Sequence, residues 1–191
     1  MEAFLTSTGL VAIAEIGDKT QLLAIVLAAR FRAPAPIILG ILVATLLNHA
    51  AAATLGYFIA QWLTGQTFQL IVGAAFLIMA AWALIPDKED ERAASTNAGG
   101  VFLTTLIAFF FVEIGDKTQI ATSLLAAQFQ NIALVTAGTT LGMMLANVPA
   151  VLLGEAVTKF VPLAYVRASA AILMAATGAW IIIAALNASA A

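Results

Sequence analysis

Seven residues, Glu-Ile-Gly-Asp-Lys-Thr-Gln, occur twice in the chain, at 15–21 and at 113–119. A shift of 98 residues lays the rest of the second half on the first without a gap. Phe4-Leu5-Thr6 then falls on Phe102-Leu103-Thr104, and Leu27-Ala28-Ala29 on Leu125-Ala126-Ala127. Phe31 falls on Phe129, Gly40 on Gly138, Gly56 on Gly154 and Trp82 on Trp180. Shared apolar residues alone mean little in so apolar a chain. A charged motif, glycines and tryptophans in one register point to an internal duplication, so the chain must fold as two similar halves. Each half carries its charged motif near the middle of a long apolar stretch.

Of the 191 residues, 63% are apolar and 9% charged. Soluble domains are about 45–50% apolar and about 25% charged, so the composition is that of an integral membrane protein. At about 20 residues per spanning helix, the length accommodates six spans and no separate soluble domain. The apolar stretches run at about 3–29, 36–62, 68–85, 100–129, 132–157 and 164–187. Met1-Glu2-Ala3 lacks a basic flank, so the first stretch reads as a retained span, not a cleaved leader. Pro34 and Pro36 restart the chain after the first stretch, and Pro86 ends the third. The expected fold is all-α: six transmembrane helices as two inverted three-helix repeats. Residues 1–86 form the first repeat, 87–98 an acidic cytoplasmic linker and 99–191 the second.

Three spans per repeat is an odd number, so the second copy enters the membrane from the opposite side. Outside the motifs the basic residues are Arg30, Arg32, Lys88, Arg92, Lys159 and Arg167, all assigned to the first, third and fifth connections. The positive-inside rule makes those connections cytoplasmic and both termini periplasmic. Opposite insertion of equivalent halves brings the two motifs to one site near the midplane, a common transporter plan.

Charged groups at bilayer depth cost about 2.5–3.5 kcal/mol each on insertion scales and mark function. On an α-helix Glu15 and Asp18, three apart, share a face, as do Glu113 and Asp116. Lys19 and Lys117 follow their glutamates by four. Gly17 and Gly115 allow a close crossing or a local break that frees carbonyls. Thr20, Gln21, Thr118 and Gln119 add neutral oxygens at the edge. Carboxylates with amide and hydroxyl oxygens are a hard ligand set suited to Ca2+, Mn2+ or Mg2+. With no cysteine and one histidine, thiolate and multi-histidine sites are excluded. Four carboxylates and two lysines leave two negative charges, which one divalent cation or two protons would neutralise. Crowding carboxylates away from water favours their protonated forms. A purely structural role, with Glu15–Lys19 and Glu113–Lys117 as helix-locking ion pairs, leaves both aspartates unexplained.

His49 and Asn147 coincide in the 98-residue register, and Asn48 coincides with Ala146. All lie mid-span: His49 is a candidate ligand or proton relay and Asn147 a candidate ligand or support of the ligands, with Asn48 a weaker candidate, against the plainer role of interhelical contact. Pro149 frees the carbonyl of Leu145 or simply kinks the fifth span. Glu155 is placed at the cytoplasmic end of that span. Gly138-x-x-x-Gly142 suits close packing within the bundle. The run Asp87–Glu91 is either a solvated linker or a collector of cations at the cytoplasmic mouth.

The paired Glu-x-Gly-Asp-Lys-Thr motifs resemble those of a family of small membrane cation/proton exchangers, which includes Golgi calcium/manganese transporters and bacterial manganese exporters. The resemblance covers essentially the whole chain. It implies exchange of Mn2+, with Ca2+ as second candidate, for protons, with Glu15, Asp18, Glu113 and Asp116 as metal ligands. It also implies a bacterial inner-membrane protein exporting Mn2+ from the cytoplasm by alternating access. No enzyme activity, prosthetic group, nucleic acid or obligate protein partner is expected; the partners are divalent ions and the lipid bilayer, and a dimer stays open. The alternatives are a passive divalent-cation channel and an exporter of a small organic cation.

Overall fold

The computed structural model describes residues 1–85, 99–154 and 163–188. Pro86, the linker 87–98, Glu155 and Lys159 lie outside the described residues. Eight helices are present among the described residues: α1 (Glu2–Glu15), α2 (Lys19–Phe31), α3 (Pro34–Trp62), α4 (Gln66–Ala83), α5 (Val101–Glu113), α6 (Lys117–Phe129), α7 (Ile132–Leu153) and α8 (Leu163–Ala188). Helices α3, α4, α7 and α8 are long and apolar enough to cross a membrane, and α5 is a shorter apolar helix. At 1.5 Å per residue the 29 residues of α3 span about 43 Å, more than a hydrocarbon core of about 30 Å.

The first and fourth apolar stretches are each two helices rather than one, because the motif breaks them. Gly17 and Gly115 adopt φ of 79° and 75°, in the left-handed region that glycine enters without steric cost. The flanking residues are extended: Ile16 at φ −65°, ψ 117° and Ile114 at φ −62°, ψ 119°, then Asp18 at φ −80°, ψ 167° and Asp116 at φ −73°, ψ 161°. The backbone groups exposed by each break are taken up locally. Gly17 N–H donates to Gln21 Oε1 at 2.8 Å and Gly115 N–H to Gln119 Oε1 at 2.7 Å. The amide of each aspartate donates to the glutamate carbonyl three residues back, at 3.1 and 3.0 Å. Even the helix ends match: α2 and α6 both finish on a left-handed residue, Arg32 and Gln130.

The halves interlock. Helix α1 packs along α7 and α5 along α3, so each broken segment lies against a long helix of the other half; α4 packs on α8. Glycines permit these contacts. A Cβ on Gly138 would stand 2.5 Å from the Phe4 carbonyl oxygen and one on Gly142 2.7 Å from that of Thr8, so Gly138-x-x-x-Gly142 seats α7 on α1 inside the bundle. The register-equivalent Gly40 seats α3 on Phe102 and Thr105 of α5. Helix α1 also touches α6, and α2 touches α5, so the two breaks meet inside the bundle.

The polarity of the bundle is reversed relative to a soluble protein. Glu15, Gln21, His49, Glu113, Thr118 and Asn147 are buried, while Leu47, Phe58, Trp62, Ile78, Phe111, Ile172 and Trp180 are exposed. An apolar exterior around a polar core fits a protein whose solvent is lipid.

Candidate metal site

Each break ends a helix on a glutamate and begins the next after an aspartate. Glu15 closes α1 and Glu113 closes α5. A helix C-terminus carries the negative end of the helix dipole and attracts cations. With α1 against α6 and α2 against α5, these ends converge. One carboxylate oxygen each from Glu15, Glu113 and Asp116 lies within 4.8 Å of the other two, and all three residues are buried.

Three side chains hold this group in place. Lys19 Nζ lies 2.9 Å from Asp116 Oδ1, an ion pair between the two motifs. Thr20 Oγ1 donates to Glu15 Oε2 at 2.5 Å. Thr118 donates to Asp116 Oδ2 from its hydroxyl at 3.2 Å and its amide at 3.4 Å. The other oxygen of Glu15 and both oxygens of Glu113 have no hydrogen-bond partner. Buried charge without partners is costly, several kcal/mol per ion even after relaxation. Three ionised carboxylates against the Lys19 ammonium would leave two negative charges unmatched among the described ion pairs. The group is therefore built to accept positive charge, either one divalent ion or two protons.

Asp18 is the departure. It is buried, but it stands outside the three-acid group. The break alone does not account for this, since Ile114 and Gly115 repeat the dihedrals of Ile16 and Gly17 and Asp116 still joins the group. Asp18 lines instead a small cavity of about 20 Å3 together with Lys117, Arg167, Ala83 and Met174. Lys19 likewise pairs across the halves and not with Glu15 four residues before it. Lys117 Nζ donates to the Ile85 carbonyl at 2.9 Å and stands 5.8 Å from the Trp82 ring centroid. Arg167, counted above as a connection residue, belongs to α8 and reaches the Asp18 cavity. Its place only a few residues into the sixth apolar stretch was the available signal.

The remaining polar residues brace the breaks. Gln21 Nε2 donates to the Ala146 carbonyl of α7 at 3.0 Å, and Gln119 Nε2 to Asn48 Oδ1 of α3 at 3.5 Å. Since Asn48 and Ala146 share a register position, the same splint occurs twice, once to a side chain and once to a backbone. The glutamine oxygens are committed to glycine amides, so they position the motifs rather than offer free ligand atoms. Asn48 Nδ2 donates to the Phe110 carbonyl at 3.0 Å. Asn147 Nδ2 donates to the Met143 carbonyl at 3.1 Å, and its Oδ1 is without a partner. His49 Nε2 lies 3.7 Å from Glu113 Oε2.

Comparison with known proteins identifies the family. The family model described as "Divalent cation/proton antiporter GDT1" matches residues 3–91 and again 101–189, nearly the whole chain in two copies. A "Putative manganese exporter" of Vibrio cholerae serotype O1 is 52% identical over 169 residues, covering 87% of this chain and 84% of that protein. No solved structure matches. A duplicated, interlocked helical bundle with buried acids at its centre thus has a name: the chain belongs to the GDT1 family of divalent cation/proton antiporters.

Proposed function

We propose that this antiporter exchanges Mn2+ for protons and exports Mn2+ from the cytoplasm, with Glu15, Glu113 and Asp116 as ion ligands. The observation that carries this is the convergence of the three buried carboxylates, one of them paired with the Lys19 ammonium. An ion leaving this group leaves charge that only protons can neutralise without water. Protons leaving it restore the ion's ligands. Exchange follows, because neither cargo can depart until the other replaces it. The preference for Mn2+ over Ca2+ and the outward direction draw support from the relative's name.

The two halves are read as inverted three-span repeats, α1–α4 and α5–α8, in a bacterial inner membrane with the odd connections cytoplasmic. The matching breaks and the double family match support this. Because the halves interlock, alternating access does not come from one half rocking as a block. It comes from the broken segments shifting against the long helices. In this reading Asp18 is the counterpart of Asp116 for the oppositely open state. The near-identical backbone at the two breaks lets either aspartate enter the acid group.

Reconstitution into liposomes tests the function. Under an imposed pH gradient, external Mn2+ should drive proton movement, and protons should drive Mn2+ uphill. Folded protein that moves Mn2+ without proton coupling, or not at all, would overturn the proposal.

A further inference from the structure

His49 is fully buried, and neither of its ring nitrogens has a hydrogen-bond partner. An imidazole always carries at least one polar nitrogen that seeks a partner, and buried polar groups without one are rare enough to need a reason. A histidine kept for interhelical contact would have its nitrogens satisfied by the facing helix. Instead Nε2 lies 3.7 Å from Glu113 Oε2, an oxygen equally unpartnered. Two atoms bound to one ion at about 2.1 Å each stand about 3–4 Å apart. The pair is therefore spaced to share an ion.

We propose that His49 is a fourth ligand of the transported ion and that its nitrogen sets the metal preference, favouring a first-row transition ion, Mn2+, over Ca2+ and Mg2+. The inference rests on the reading of Glu15, Glu113 and Asp116 as ion ligands. Ca2+ and Mg2+ take oxygen ligands almost exclusively. Transition ions accept imidazole, and Mn2+ is the member of that series that also favours carboxylate. Three carboxylates and one imidazole combine both preferences. The register-equivalent of His49 is Asn147, so the chain itself supplies the oxygen-donor alternative at this position. Only the first half carries the nitrogen.

The test uses the full chain in detergent, loaded with Mn2+. Electron spin-echo envelope modulation of the bound Mn2+ should show a directly coordinated nitrogen, and H49N should lose it. Loss of a residue that merely supports a ligand already lowers metal affinity roughly 10–100-fold, so Mn2+ affinity in H49N should fall at least about tenfold. Ca2+ affinity should change less than about twofold. Mn2+ bound to the wild type without nitrogen coupling overturns this inference alone, as does an unchanged Mn2+/Ca2+ ratio in folded H49N. If H49N does not fold, the wild-type spectrum decides by itself. A wild type that binds no Mn2+ overturns both this inference and the function on which it rests.

Discussion

Lys19 and Asp116 are neighbours in the repeat register, one following the first Gly-Asp and the other ending the second, and across the two halves their charged atoms are 2.9 Å apart. The pair joins the two motifs and supplies the only ammonium paired with the three-acid group among the described ion pairs. Replacing Lys19 by Gln keeps the length but removes the charge. Breaking one side of a buried pair costs about 3–5 kcal/mol; Lys19 is partly exposed, so the lower end applies. In the absence of metal, K19Q should melt below the wild type. Mn2+ should raise its melting temperature by more than it raises that of the wild type, because the ion then faces three unmatched negative charges. An equal metal-induced shift in the two proteins would show that Lys19 lies outside the field of the ion.

The two aspartates separate binding from transport. Asp116 stands within the acid group and Asp18 outside it. D116N should therefore abolish Mn2+-dependent thermal stabilisation as well as exchange. D18N should keep most of the stabilisation and still abolish exchange in liposomes, because the oppositely open state would lack its aspartate. Equal loss of binding in both variants would mean that both carboxylates touch the ion in the resting protein.

How much of this was legible beforehand depends on what a linear pattern can encode. The presence of α3, α4, α7 and α8, and most of their ends, followed from apolar length and from Pro34, and the acids at bilayer depth drew attention to the motifs. The breaks were legible only as an option, because glycine permits a left-handed turn without demanding one. The interlocking of α1 with α7 and α5 with α3 left little trace, since apolar faces in lipid do not name their partners. Most instructive is the unlike placing of Asp18 and Asp116. Identical heptapeptides cannot distinguish them; the difference must come from where the halves diverge. Asn48 against Ala146, His49 against Asn147 and Arg167 against Gln69 are such positions, and each of Asn48, His49 and Arg167 contacts a motif or the cavity beside one.

Gly115 separates backbone strain from crowding. It sits at φ 75°, and a Cβ there would meet nothing within 4 Å. Alanine in the left-handed region costs about 1–2 kcal/mol. G115A should fold, with a small loss of melting temperature of that size. The strain will be relieved by moving toward helix, which swings Asp116 away from Glu15 and Glu113. Mn2+ affinity should therefore fall out of proportion to stability. A variant with wild-type Mn2+ affinity would show that the break does not aim the aspartate.

Gly56 tests the seating of α3 on α6. A Cβ there would stand 1.9 Å from the backbone carbonyl oxygen of Ser123, an overlap that no rotamer relieves because both atoms belong to fixed backbone. The helices would have to separate, and overpacking typically costs about 1–3 kcal/mol, occasionally more. Gly9, on α1, has no neighbour within 4 Å of such a Cβ, so alanine fits there and improves helix propensity. G56A should lower the yield and melting temperature of detergent-solubilised protein, and its exchange activity should fall with them, since Gln119 and the second break ride on α6. G9A should match or exceed the wild type in stability at equal activity. Wild-type stability in G56A would mean that α3 and α6 are not in contact at that crossing.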